Sequence, residues 1–126
     1  MKELREAEFW LISARRLINE SSDAREKYTV IVAQCIHSII RANDALTMKF
    51  LRKNAARHDE AIKLFHELLV TNKIPSSCAS LKKIVQDGVQ TKSKVDYKGE
   101  EMSKSDANRW ITKAEKFLQG VKDILE

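Results

Sequence analysis

A chain of 126 residues with three glycines and one proline is long enough for one core that buries about two-thirds of its unfolded surface, and too poor in turn formers for a many-stranded sandwich or barrel. Its 23 basic and 18 acidic side chains give a net charge of +5 but are interleaved, which describes a solvated mixed-charge surface more than a nucleic-acid-binding face. The exception is a modest excess over residues 82–104, where Lys82, Lys83, Lys92, Lys94, Lys98 and Lys104 outnumber Asp87, Asp96, Glu100 and Glu101.

Leu4, Ala7, Leu11, Ala14 and Ile18 recur at spacings of three and four and predict a first amphipathic helix, its stripe widened by Trp10 and Leu17. Ser21, Ser22 and Asp23, with Glu26 following, read as the cap of a second helix. That helix carries Ile31, Val32, Cys35, Ile36, Ile39, Ile40 and Asn43, and continues through Ala45, Leu46, Met48, Phe50 and Leu51 without a breaker. Running from about Asp23 to Lys53, it would reach ~45 Å at ~1.5 Å per residue, so its end is expected to project or bend and to offer a partner a surface.

Asn54 is the expected cap of a third helix, with Asp59 and Glu60 at its positive end and Ala61, Ile62, Leu64, Phe65, Leu68 and Leu69 on its apolar face. The segment Thr71 to Ser77 holds the only proline and predicts a turn into a fourth helix through Leu81, Ile84 and Val85, ending between Gly88 and Thr91. Residues 91–103 are polar and lysine-rich and read as the longest irregular connection. Ser103 and Asp106 then cap a last helix striped by Ala107, Trp110, Ile111, Ala114, Phe117, Leu118, Val121, Ile124 and Leu125. The expectation is one domain over 1–126, all-α, an antiparallel up-and-down bundle of four to five helices with a long second helix.

Cys35 and Cys78 show neither CxxC nor Cys/His ligand spacing, so free thiols are expected, with Cys35 in the core. The charged opening Met1 to Glu6 has no apolar leader, and no run approaches the ~20 apolar residues of a bilayer span. A cytoplasmic protein with no membrane association is expected.

The opening Ala7-Glu8 and Ala14-Arg15-Arg16-Leu17-Ile18, the long second helix from Tyr28, and Arg57-His58 leading to Leu64-Phe65 form an ordered set. Ile74-Pro75, Asp96-Tyr97 and the closing Ala107 and Ala114-Glu115-Lys116-Phe117 complete it. In order and spacing this resembles the HEPN domain family, in particular its small stand-alone prokaryotic members. The resemblance implies a four- or five-helix bundle, commonly a homodimer, often encoded beside a minimal nucleotidyltransferase as a toxin and antitoxin pair. Many members are ribonucleases whose site uses an Arg followed, four to six residues on, by a His at the start of a late helix.

Against that pattern the chain reads Lys92-Ser93-Lys94-Val95-Asp96-Tyr97, with Lys92 in the Arg position and Asp96 where His would stand. Cutting RNA through its 2'-hydroxyl needs a group that exchanges a proton near neutrality, which an imidazole titrating at ~6.5 does well and a carboxylic acid titrating at ~3.9 does poorly. A carboxylate ~4 Å from a phosphate also repels it by roughly 4 kcal/mol at an effective dielectric of ~20, unless Lys92 and Lys94 offset it. Lysine further lacks the planar fork of arginine. No catalytic residue is therefore assigned.

Arg52 and His58 also fit the loose spacing, but in a place the family does not use. Arg57 and His58 instead read as a helix-start patch able to meet an anion, since backbone N–H groups point outward there. Tyr97 either stacks on a base or closes the loop, by packing on the last helix or bonding Asp96. Trp10, Trp110, Phe65 and Phe117 read as core in preference to base-stacking surfaces; His37 and His66, either of which could touch a ligand, read as structural or surface histidines; Arg41 and Asp44 read as a helix-surface ion pair. No metal-ligand cluster, phosphate loop or serine triad pattern occurs, and no cofactor is expected.

The candidate nucleotide- or RNA-binding residues are thus Arg57, His58, Lys92, Lys94, Asp96 and Tyr97. The expected function is a non-catalytic HEPN-type binding or interaction module, homodimeric, with a nucleotidyltransferase partner and a nucleotide or RNA ligand. The alternative is a HEPN ribonuclease with an altered site.

Overall fold

From Ala42 to Thr47 every residue of the second helix is buried, a pattern that only a helix with neighbours on all sides can sustain. The computed structural model, describing residues 1–126, supplies those neighbours. Its helices are α1 (Lys2–Ile18), α2 (Glu26–Leu51), α3 (His58–Val70), α4 (Ala79–Lys98) and α5 (Lys104–Leu125), with a single 3₁₀ turn at Ser76–Cys78. There is no strand, and α2 packs against all four other helices. The end of α2 does not project as expected: Lys49 Nζ donates to Leu125 O at 3.4 Å, tying that end to the end of α5.

Side-chain pairings fix the directions. Glu6 meets Arg41, Ala7 meets Ser38 and Glu20 meets Lys27, so α1 and α2 run antiparallel. Glu8 pairs with Lys122 and Arg15 with Glu115, so α1 and α5 do too. Asp87 pairs with Lys113 while Leu81 faces Gly120, which sets α4 against α5 in the same way. The enclosed core includes Phe65 and Phe117, 6.2 Å apart, with Trp110, Ile31, Ile36, Ile39 and Leu46. Each such side chain contributes about 1.5–3 kcal/mol of transfer free energy. Cys35 lies fully buried there, its thiol pushed up to about 12 by desolvation, and both cysteines are free. No helix is long and apolar enough to cross a membrane.

Burial of α2 encloses polar groups as well. Asn43 donates to Ala61 O at 3.1 Å and Ser38 to Ala7 O at 2.7 Å. Arg41 bridges Glu6 at 2.5 Å and Asp44 Oδ2 at 2.9 Å. Asp44 is no surface partner, as its side chain is only 9% exposed and its Oδ1 has no hydrogen-bond partner. Burial raises the Asp44 carboxyl above its ordinary range, against the pull of Arg41, whereas Glu6 is held below its own by the hydrogen bond from Arg41.

Two of the three expected caps are placed differently. Neither Ser21, Ser22 nor Asp23 caps α2, which starts after Arg25 without a side-chain cap. The α1–α2 turn is instead closed by Lys27, whose ammonium bonds Glu20 O at 2.9 Å and Ser22 O at 2.7 Å. Asn54 does not cap α3, which begins at His58 after Arg57 in extended conformation. The third is as expected: Ser103 and Asp106 exchange both bonds of a capping box at 3.0 and 2.9 Å.

The larger correction concerns residues 91–98, which continue α4 rather than forming a loop. Gly88 does not stop the helix; it is a buried position facing Ile36 and Trp110. The polar residues beyond it are adequate helix formers, and Lys92 and Asp96 support each other one turn apart. The real stop is Gly99, whose φ of +64° is the left-handed geometry glycine adopts freely.

Two outcomes follow. Replacing Gly88 with Ala puts a methyl at ordinary van der Waals distance, 3.7 Å from Ile36 and 3.8 Å from Trp110, so urea titration should find the variant more stable by about 0.5–1 kcal/mol. Arg41→Ala strips Asp44 of its counter-charge and should cost about 2–3 kcal/mol in the same titration; an unchanged midpoint would show that the bridge carries no weight.

Candidate functional site

After α2 the chain turns on Arg52, which takes the left-handed φ of 56°, and Lys53 N donates back to Thr47 O at 3.3 Å. Segment 52–57 then runs back alongside α2, with Ala55 against the core and its backbone amide near enough to Asp44 to lower that carboxyl. As a result α3 starts beside the middle of α2, and the His58 ring lies 6.3 Å from that of His37, edge to face.

Across from this start, α4 presents Val89, Lys92, Ser93, Asp96 and Tyr97, whose spacing of three and four puts them on one helical face. Together with Ala56, Arg57, His58 and Asp59 they line an open groove of about 470 Å³. Arg57, His58, Lys92, Asp96 and Tyr97, all candidates from the sequence, are therefore brought together. Lys94 is not among them, being exposed elsewhere on α4, and Arg52 stays outside as the α2 cap. The resemblance placed Asp96 at the start of a late helix; it lies in the last turns of α4.

The charges in the groove are balanced. Lys92 Nζ lies 2.8 Å from Asp96 Oδ2. Arg57 reaches Asp59 at 3.1 Å and Glu60 at 3.8 Å, while Ala56 N donates to Glu60 Oε2 at 3.0 Å. Arg57 and its acids are largely exposed, so each such pair is worth well under ~1 kcal/mol and can be exchanged for a phosphate at little cost. No side chain caps the first turn of α3, so its leading backbone N–H groups have no side-chain acceptor. Tyr97 neither closes a loop nor bonds Asp96: it stands 86% exposed.

Two residues for which the sequence favoured a structural role lie next to this site. Trp10, assigned to the core, is 39% exposed and lies stacked on His37 with ring centroids 4.9 Å apart and planes 19° from parallel. His37 is half-buried, and its imidazole is held below the ordinary histidine value by desolvation first, then by the positive charges of Lys92 and His58, with Asp96 opposing. The cationic contributions there outrank the anionic one. His66 sits apart, 3.1 Å from Lys82, and nowhere do three His, Cys, Asp or Glu side chains converge as metal ligands.

In the folded chain His37 should titrate below the ~6.5 of a free imidazole. Its neutral form is thus favoured on folding, so its contribution to stability is complete above ~6.5 and is lost as pH falls through the lower folded value. Lys92→Met removes a neighbouring cation and unmasks Asp96, and should move the His37 titration upward in a histidine NMR series; no movement would separate His37 from the groove. Comparison of the chain with protein-family models, curated proteins and solved structures gives no match in any of the three.

Proposed function

We propose that the chain is a HEPN-type helical module that binds a phosphate-bearing ligand, a nucleotide or an RNA strand, in the groove between α3 and α4 without cutting it. The observation that carries this reading is the convergence, from two separate helices, of Arg57, His58, Lys92 and Tyr97 around the uncapped start of α3. Arg57 offers a planar fork for phosphate, Lys92 a point charge, the free amides further donors, and Tyr97 an exposed ring. Asp96 serves to hold Lys92 in place, a role for which a carboxylate is well suited, whereas shuttling a proton near neutrality is not.

Family resemblance adds the finer parts of the proposal. The module is cytoplasmic, self-associates as a dimer and works with a minimal nucleotidyltransferase in a toxin-antitoxin-like pair. These parts rest on analogy of sequence pattern alone.

A second reading has one observation in its favour. His58 lines the groove and His37 lies behind it with ring centroids 6.3 Å apart, so two imidazoles stand close to where the motif itself supplies an aspartate. On that reading the chain is a ribonuclease with an altered site, and the imidazoles take and return the proton.

Fluorescence anisotropy with a labelled single-stranded oligoribonucleotide tests the binding reading. Affinity should fall with salt at a slope of about −0.7 per phosphate neutralised, and Arg57→Ala should weaken it by about tenfold; absent or salt-insensitive binding contradicts it. Incubation of RNA with the purified protein should leave the strand intact. Cleavage that disappears in His58→Ala would replace the binding reading with the catalytic one. Light scattering should find a dimer, and a strict monomer at high micromolar concentration would remove the self-association.

A further inference from the structure

We propose that Trp10, outside this groove but joined to it through His37 and His58, is a base-stacking surface for the strand the groove holds, which makes the site one for single-stranded nucleic acid rather than for a free phosphate group. The inference rests on the binding reading above and deepens it.

The inward positions of α1 are Ala7, Leu11 and Ala14, all buried, yet the two aromatic residues between them, Phe9 and Trp10, are 68% and 39% exposed. Solvent exposure of two large rings side by side on a short helix face leaves apolar area in water that the core does not use. Trp10 is also held in position. One face of its indole lies on His37 at 4.9 Å and nearly parallel, so little rotamer freedom remains to be lost when a second ring docks. On the solvent side of α1 a shallow groove of about 270 Å³ is lined by Glu6, Phe9, Trp10 and Ser13. Glu6 does not present a free negative charge there, because Arg41 holds its carboxylate.

The rings form a row. Trp10 lies on His37, and His37 meets the edge of His58 at 6.3 Å. His58 lines the groove that holds Arg57 and Lys92. A strand whose phosphate sits at Arg57 and Lys92 can therefore follow the row and lay a base on the indole. The charge balance of the groove argues for this occupant over a bare anion. Asp59 and Asp96 accompany Arg57 and Lys92, so charge alone gives weak retention, and roughly tenfold per stacked base is the order of gain an aromatic surface adds. Stacking accepts any base, so recognition by shape and sequence is not required of the site.

Trp10 and Trp110 are the only tryptophans, and Trp110 is 2% exposed, so a ligand that quenches emission reports on Trp10. Two probes separate base from charge: an oligoadenylate RNA and inorganic tripolyphosphate. Oligoadenylate should quench the emission; Trp10→Leu should weaken its binding by roughly tenfold and leave tripolyphosphate binding unchanged, while Trp10→Phe recovers most of the loss. Circular dichroism of both variants verifies that the bundle is intact. Oligoadenylate binding that depends on Arg57 but neither quenches Trp10 nor weakens in Trp10→Leu overturns the stacking surface and leaves the groove reading standing. Equal weakening of both probes in Trp10→Leu also overturns it, because the indole would then act only by holding His37. If neither probe binds, the groove reading itself fails.

Discussion

The structure depends on α2 being buried on every side from Ala42 to Thr47. A helix in that position can carry few exposed groups, and those polar side chains it does carry must find partners inside the protein. Ser38 and Asn43 do so by bonding the backbone of α1 and α3, and Arg41 does so by joining Glu6 of α1 to Asp44 of its own helix. These bonds are directional where apolar contacts are not, so they set the register of the neighbouring helices on α2. The Asn43 to Ala61 bond in particular fixes how far along α2 the third helix stands.

That register produces the groove. Because segment 52–57 runs back beside α2, α3 begins next to His37 instead of beyond the end of α2. The last turns of α4 then face the uncapped start of α3, and residues distant in sequence come to share one mouth. The electrostatics follow from the same placement. Lys92 side chains have only 13% exposure and bond Asp96, yet the charge felt at His37 is still dominated by Lys92 and His58. A groove that is balanced in formal charge suits a ligand that exchanges with the existing acids.

Much of this was legible from residue order. The apolar stripes from Leu4 to Ile18 and from Ala107 to Leu125 mark α1 and α5, and the Ser103–Asp106 box marks where α5 begins. Gly88 misled because a glycine packed against Ile36 and Trp110 looks, in sequence, the same as one that ends a helix; only the left-handed Gly99 does the latter. Trp10 misled because the edge of an apolar stripe is indistinguishable from its centre until the neighbouring helix is placed. The approach of His58 to His37 could not be read at all, since nothing local encodes that the chain doubles back after Arg52. Lys92, Asp96 and Tyr97 were candidates through the family resemblance and share one face of α4 at the groove, whereas Lys94 from the same run lies outside the groove lining, since charge in a run carries no information about facing.

The account turns on one place, the mouth between the start of α3 and the last turns of α4. Backbone amide chemical-shift mapping during addition of a short oligoribonucleotide tests it most directly. The shifts should concentrate at Ala56 to Asp59, at Val89 to Tyr97 and around Trp10 and His37, and spare the opposite end of the bundle, where Lys49 meets Leu125. Shifts confined to that far end, or spread evenly over the lysines of α4 and α5, would contradict it.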